Sequence, residues 1–147
     1  MRWRPIPFGE FHVSYGDDPV KETVLQHGEL ITAVELPATA FFRRSHYLKV
    51  RDRMSFEFAL ASAAVALEVK DSTITAARVA LGGVATKPWR SAEAEKALVG
   101  ARPGEDAYAA AAKAALRGAK AQKHNAFKIE LAKRVLVRAL TVVGSMG

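Results

Sequence analysis

The densest run of chemically capable side chains lies between residues 43 and 53: Arg43-Arg44-Ser45-His46-Tyr47-Leu48-Lys49-Val50-Arg51-Asp52-Arg53. Five of these eleven residues are Arg or Lys, and Tyr47 sits among them. Cations at this density can hold a nucleic-acid backbone while the aromatic ring stacks on a base. They can equally face an anionic, phosphate-bearing cofactor. A third reading is a solvated strand edge that charge protects from pairing with other chains. The residues alone leave all three open.

Other chemistries find little support. His12, His27, His46 and His124 have no second histidine or carboxylate at metal-ligand spacing. The acidic neighbours Asp17-Asp18, Glu93 with Glu95, and Glu105-Asp106 fall in turns or first helical turns, where negative charge is locally favourable. Ser45-His46 lacks the acid and the elbow that would make the serine a nucleophile. Gly82-Gly83 is too short for a phosphate loop and reads as a strand end. The sequence contains no cysteine, which excludes disulfides, thiolate metal sites and an iron–sulfur cluster held by this chain. The chain is therefore expected not to catalyse a reaction by itself.

The elements that must position the basic run follow from length and pattern. The 147 residues suit one domain with a real core, and half of them are hydrophobic. The formal charge of +7 points to an anionic partner. Met1-Arg2-Trp3-Arg4-Pro5 has no apolar run behind it and does not read as a signal peptide. No stretch is long and apolar enough to span a membrane. The cytoplasm is the expected compartment, or the periplasm if the chain is exported with a partner subunit.

Residues 1–19 read as an irregular, linker-like segment with Phe8, Phe11 and Tyr15 as anchors and a turn at Asp17-Asp18-Pro19; residues 20–147 read as the domain proper. Glu29 to Leu36 alternates and stops at Pro37, which predicts a strand. Phe41 to Val50 is a second candidate strand. Residues 55–59 read as a short helical turn. The alanine-rich run that follows can be helix or strand, but Asp71-Ser72 and the β-branched run from Thr73 to Leu81 favour two long strands in a hairpin. Ser91 is expected to cap a helix through Leu98, Asp106 to Arg117 to form a second, and Asn125 to cap a third. In that third helix Phe127, Leu131 and Val135 recur at four-residue spacing, widened by Ile129, Leu136, Leu140 and Val143. The expected fold class is α+β: an antiparallel sheet of about four strands, covered on one face by three C-terminal helices.

Three blocks, in this order and spacing, carry a resemblance. They are Gly28-Glu29-Leu30-Ile31-Thr32-Ala33-Val34-Glu35-Leu36-Pro37, the stretch from Lys49-Val50-Arg51-Asp52-Arg53 through Ser62, and the stretch from Ala76 through Gly82-Gly83 to Arg90. Together they resemble the C-terminal domain of the FAD-binding subunits of bacterial molybdenum hydroxylases, the xanthine dehydrogenase, aldehyde oxidoreductase and carbon monoxide dehydrogenase flavoprotein group. The resemblance covers nearly the whole chain and implies the same sheet-plus-three-helix fold. It implies an electron-transferring role, with FAD passing electrons from the molybdenum centre and iron–sulfur clusters to an external acceptor. It implies that Ile31 and Lys49 contact FAD, an apolar wall and a cation respectively, with Arg51 and Asp52 as weaker candidates in the loop that follows. It also implies that most of the FAD site belongs to an N-terminal FAD-binding domain not found in this sequence. The molybdenum cofactor and iron–sulfur clusters would then sit in partner subunits or missing domains. The alternatives are a flavin-free module that docks molybdenum or iron–sulfur subunits, and a basic nucleic-acid-binding domain, which is the less favoured of the two.

Overall fold

A computed structural model describes residues 3–14, 16 and 20–146. The anchor Tyr15 and the turn at Asp17-Asp18-Pro19 lie outside the described residues. Four strands form one antiparallel sheet in the order β1-β2-β3-β4. They are β1 (Ser45–Val50), β2 (Ala61–Lys70), β3 (Thr73–Gly82) and β4 (Trp89–Arg90). A single helical turn, α1 (Phe8–Phe11), precedes them, and α2 (Ala92–Leu98), α3 (Glu105–Ala115) and α4 (Phe127–Gly144) follow. Helix α4 lies over β1 and β2, α2 lies against β3, and α3 packs on both α2 and α4.

The hairpin of β2 and β3 turns at Asp71 and Ser72, whose φ angles of 50° and 59° are both positive. That is the pair of left-handed conformations a two-residue hairpin needs to follow the strand twist. In β2, Ala61, Ala63, Val65 and Leu67 alternate into the core. In β3 the phase changes once, because the register passes from Glu68↔Ala76 to Val69↔Ile74 and leaves Thr75 as an extra residue. This bulge lets Ile74 and Ala77, three apart, face the same core. Thr75 Oγ1 donates to the Glu68 carbonyl across the irregularity. Alanine's helix propensity loses here because small side chains on a sheet let a helix approach closely.

Ser91 caps α2 as expected: its hydroxyl accepts the Ala94 N–H at 3.1 Å, and the residue is fully buried. Glu95 binds the Arg90 side chain at 3.0 and 3.2 Å and also accepts the Val79 N–H. One carboxylate thus ties α2 to β3 and β4. In α4 the buried positions are Ala132, Val135, Leu136, Ala139, Leu140 and Val143. In α3 they are Tyr108, Ala111, Ala112 and Ala115. Both sets follow the spacing of one helix face. The Tyr108 hydroxyl occupies the space that a Cβ on Gly144 would fill, so α3 and α4 close tightly there. Burial pushes the Tyr108 phenol above its ordinary range, an effect that nearby Arg44 opposes. Arg44 itself donates to the Met146 carbonyl and fastens the C-terminus to the start of β1.

Five expectations are corrected. Glu29 to Leu36 forms no strand: the segment is irregular, and Leu30, Val34 and Leu36 are each at least 75% exposed. Alternation marks side chains that share a face, but a strand exists only where a neighbour takes up its backbone groups, and none pairs here. The fourth strand is instead Trp89–Arg90, hydrogen-bonded to β3. The second candidate strand begins later than Phe41, because Thr39 caps a 3-10 turn over Ala40–Arg43. Residues 55–59 form no helical turn: 55 and 56 are bends and 57–59 are irregular. Asn125 does not cap α4: Ala126 occupies the cap position with no side-chain bond, and Asn125 Oδ1 accepts the Gln122 N–H instead. Finally, Phe127 is half-exposed and lies off the buried face of α4, which holds the expected Val135, Leu136, Leu140 and Val143 together with Ala132 and Ala139.

Candidate functional site

The helices cover one face of the sheet; on the other, Tyr47 and Ala64 are exposed while Ser62 and Ala66 are buried. The strand register places its residues in rows. Lys49 stands beside Ser62, and Ser62 beside Gly82. Tyr47 stands beside Ala64, and Ala64 beside Ala80. Ser45, Ala66 and Arg78 form the next row. The Arg78 guanidinium lies 4.6 Å from the centre of the Phe41 ring, so the 3-10 turn covers this last row. The row of Lys49 lies at the opposite end of the sheet, where the loop 51–60 departs. Tyr47 is 60% exposed and Ala64 is exposed. The result is a flat patch of small side chains with one cation at its end.

The loop beside Lys49 is held at several points. The Leu60 N–H donates to the Val50 carbonyl at 2.9 Å and closes it. Arg51 donates to the Ser55 carbonyl at 3.0 Å, and Arg53 faces Glu57 at 3.8 Å. Gly83 has a φ of +71° and packs so closely on the loop that a Cβ there would stand 2.7 Å from the Ala59 carbonyl oxygen. Lys128 of α4 donates to the Gly83 carbonyl at 3.0 Å, which brings the start of α4 to the same end of the domain. Between these anchors Met54, Phe56 and Phe58 are 93%, 99% and 95% exposed.

Of the four residues singled out from the sequence, Lys49, Arg51 and Asp52 lie together at this end of the sheet. Ile31 does not join them through the sheet: it lies in the irregular segment and is 59% exposed. That segment is tied to the N-terminus instead, where Arg4 binds the Glu29 carboxylate at 3.2 and 2.5 Å and Glu29 also accepts the Gln26 N–H. These bonds hold the Glu29 carboxyl below its ordinary range, the backbone N–H of Gln26 contributing most. A cavity of about 240 Å³ opens there, lined by Trp3, Arg4, Leu25 and Leu30 among others. A second, of about 400 Å³, lies between β3 and α2 and includes Thr75, Arg78 and Glu95. Neither is lined by Lys49. Reading residue types missed Ser62, Gly82 and Tyr47 as neighbours of Lys49. Tyr47 was detectable from its alternation with Lys49, but Ser62 and Gly82 depend on register. Among the described residues no group of His, Asp or Glu is placed to hold a metal ion.

The profile of the CO dehydrogenase flavoprotein C-terminal domain family matches residues 46–143, from β1 to the last turns of α4. The chain belongs to that family. It is 41% identical over 138 residues to the aldehyde oxidoreductase FAD-binding subunit PaoB of Escherichia coli, an alignment covering 93% of this chain and 40% of the relative. It is 38% identical over 79 residues to the glyceraldehyde dehydrogenase medium chain of Sulfolobus acidocaldarius, covering 54% of this chain and 27% of the relative. Among solved structures, a carbon monoxide dehydrogenase of Hydrogenophaga pseudoflava lacking the Mo-pyranopterin moiety superimposes with a TM-score of 0.78 at 27% identity. That match covers 92% of this chain and 46% of the other. Quinoline 2-oxidoreductase of Pseudomonas putida 86 gives a TM-score of 0.64 at 27% identity, over 71% of this chain and 38% of the other. The family member described here thus spans less than half the length of these relatives. Its sheet and three helices are the architecture that the sequence pattern predicts.

Proposed function

We propose that this chain is the C-terminal part of the FAD-binding, electron-transferring subunit of a molybdenum hydroxylase of the xanthine or aldehyde dehydrogenase type, where it completes the flavin site. The observation that carries the reading is the placement of Lys49. It stands at one end of the sheet face away from the helices, inside the region that matches the flavoprotein family. The residues present fit part of FAD. Ala64, Ala80 and Gly82 leave a flat surface beside Tyr47, suited to a planar ring, and Lys49 and Arg51 supply cations at its edge. They do not supply a glycine-rich phosphate loop, so the pyrophosphate needs residues beyond this chain.

When bound, FAD supplies reversible uptake and release of electrons. The contribution of Lys49 is electrostatic: a positive charge near a group that gains negative charge on reduction favours the reduced form. Ile31 offers an exposed apolar side chain for a ring or for the domain that carries it. Arg51 and Asp52 border the same end of the sheet. The partners in this reading are an N-terminal FAD-binding domain, a molybdenum-cofactor subunit and an iron–sulfur subunit, in the cytoplasm or exported together to the periplasm. A second reading, a flavin-free docking module, draws on the exposure of Met54, Phe56 and Phe58, since apolar groups so fully exposed mark contact surfaces.

Two outcomes test the reading. The 147-residue chain alone should bind FAD weakly, with a dissociation constant above the micromolar range. A lysine and an apolar wall must offset an immobilisation cost on the order of several kcal/mol without any phosphate contact. Titration followed by flavin fluorescence measures this, and submicromolar affinity would mean that a complete site exists within the chain. In the assembled flavoprotein, Lys49→Met should lower the flavin reduction potential, because it removes the charge and keeps the apolar stem. Stability should change by about 0.5 kcal/mol or less. An unchanged potential in a potentiometric titration would remove Lys49 from the flavin site.

A further inference from the structure

The charge of this protein is concentrated in one place. Eight of its 22 Lys and Arg residues, but only one of its 15 carboxylates, fall between residues 113 and 138. This stretch therefore carries the whole formal charge of +7, and the rest of the chain is balanced. From residue 107 to residue 129 there is no carboxylate at all. Lys113, Arg117, Lys120 and Lys123 follow one another along the end of α3 and the linker to α4, with His124 beside them, and all five are exposed.

Five cations are held in ion pairs, while Lys21, Lys70, Lys87 and Lys96 are exposed and, among the described residues, outside any ion pair. Arg4 meets Glu29, Arg53 meets Glu57, Arg90 meets Glu95, and Lys133 and Arg134 meet Glu130. Among the described residues no ion pair involves Lys113, Arg117, Lys120 or Lys123. Like charges this close along the chain repel, weakly because solvent and salt screen exposed groups. The run is thus mildly unfavourable by itself, and an opposing surface of negative charge would offset the repulsion. The linker is also ordered. Ala119 donates to Leu116, Asn125 to Gln122, and Lys128 to Asn125 through backbone bonds, while the Asn125 side chain accepts the Gln122 N–H at 2.6 Å. The cations stand on a hydrogen-bonded scaffold rather than on a loose tail.

We propose that the surface formed by Lys113, Arg117, Lys120 and Lys123 is where a carboxylate-rich face of a partner protein docks. A protein fits better than a nucleic acid, because a single-stranded partner needs a row of stacking aromatics and this surface has only Phe127 at its border. The proposal rests on the reading that the chain works within an assembly of protein subunits, and it adds the surface and the chemistry of one contact. Charges at the rim of an interface govern how fast and how salt-dependently partners meet.

The test uses the assembly purified from its host through a tag on this chain. A zero-length carbodiimide cross-linker joins lysine amines to carboxylates in direct contact, and peptide mapping locates the links. Links from Lys113, Lys120 or Lys123 to Asp or Glu of a second protein are expected. A variant with Lys113→Gln, Arg117→Gln, Lys120→Gln and Lys123→Gln should bind that protein about tenfold more weakly at low salt, with a flatter salt dependence. A control removing equal charge elsewhere, Lys21→Gln, Lys70→Gln, Lys87→Gln and Lys96→Gln, should stay within about twofold of the original, as expected for charges outside the interface. Circular dichroism confirms that both variants fold. The proposal is overturned if both variants bind alike, if links arise only from the control lysines, or if no protein partner accompanies the chain. Loss of binding to a single-stranded oligonucleotide, in place of loss of the protein partner, overturns it in favour of nucleic acid. Flavin absorbance of the same assembly separates the two readings: links without flavin leave the docking surface standing and remove the flavin role.

Discussion

Gly83→Ala is expected to destabilise the protein by about 3 kcal/mol, although it adds a single methyl group. Gly83 has a φ of +71°, a left-handed conformation that costs a residue with a Cβ about 1–2 kcal/mol. The new Cβ would also stand 2.7 Å from the Ala59 carbonyl oxygen and 3.3 Å from that of Leu60. Both are backbone atoms, so relief requires the loop 51–60 to move rather than a side chain to rotate. Gly82→Ala is the informative contrast. Its Cβ would meet the Ser62 hydroxyl at 2.6 Å, a side-chain atom that can turn away. The Gly82 change should cost about 1 kcal/mol or less, and Ser62→Ala should relieve most of it. Urea unfolding of the three variants measures the difference. A Gly83 variant as stable as the Gly82 variant would show that the loop does not pack against the end of β3. Because Arg51 and Asp52 sit in that loop, the Gly83 change should also weaken flavin retention in the assembled protein, whereas Leu140→Ala, on the helix-covered side of the sheet, should not.

Leu140→Ala should cost about 3 kcal/mol, the middle of the range for a leucine truncated in a closed core. Leu140 is fully buried on the face of α4 that lies over the sheet. For a domain of this size the melting temperature should fall by about 6–12 °C. Leu140→Met, which keeps the volume, should lose less than about 1.5 kcal/mol. Phe127→Ala completes the comparison. The four-residue spacing in the sequence places Phe127 on the buried stripe, whereas the fold leaves it 54% exposed. Its truncation should cost under about 1 kcal/mol, as expected for a partly exposed residue. Calorimetry on the three variants decides between the two faces. A larger loss at Phe127 than at Leu140 would rotate α4 away from the orientation described here.

The parts of the fold that could be read directly share a cause. At Ser91 the cap and its helix are a few residues apart, so one short stretch holds both the signal and its satisfaction. The hairpin is similar, because Asp71 and Ser72 close two strands that are neighbours in sequence. Lys49 is a proposed site residue through the resemblance of its block, and the alternation of β1 places it on the same face as Tyr47. Ser62 and Gly82, its neighbours in the sheet, were not legible. Their places depend on the register of three strands, which no local pattern states.

By itself the sequence determined the class of fold, the hairpin, the helical layer, the family resemblance and the lack of cysteine. Those conclusions rest on side-chain type and on interactions a few residues long. Only the tertiary structure decided that Glu29 to Leu36 is not a strand and that Trp89–Arg90 is. It also decided that Phe127 lies off the buried face of α4, and that Lys49 ends a row on the side of the sheet away from the helices. Each of these depends on a partner distant in the chain. A strand needs another strand to receive its hydrogen bonds, a helix face is chosen by what packs against it, and a sheet face is open or closed according to where the helices land.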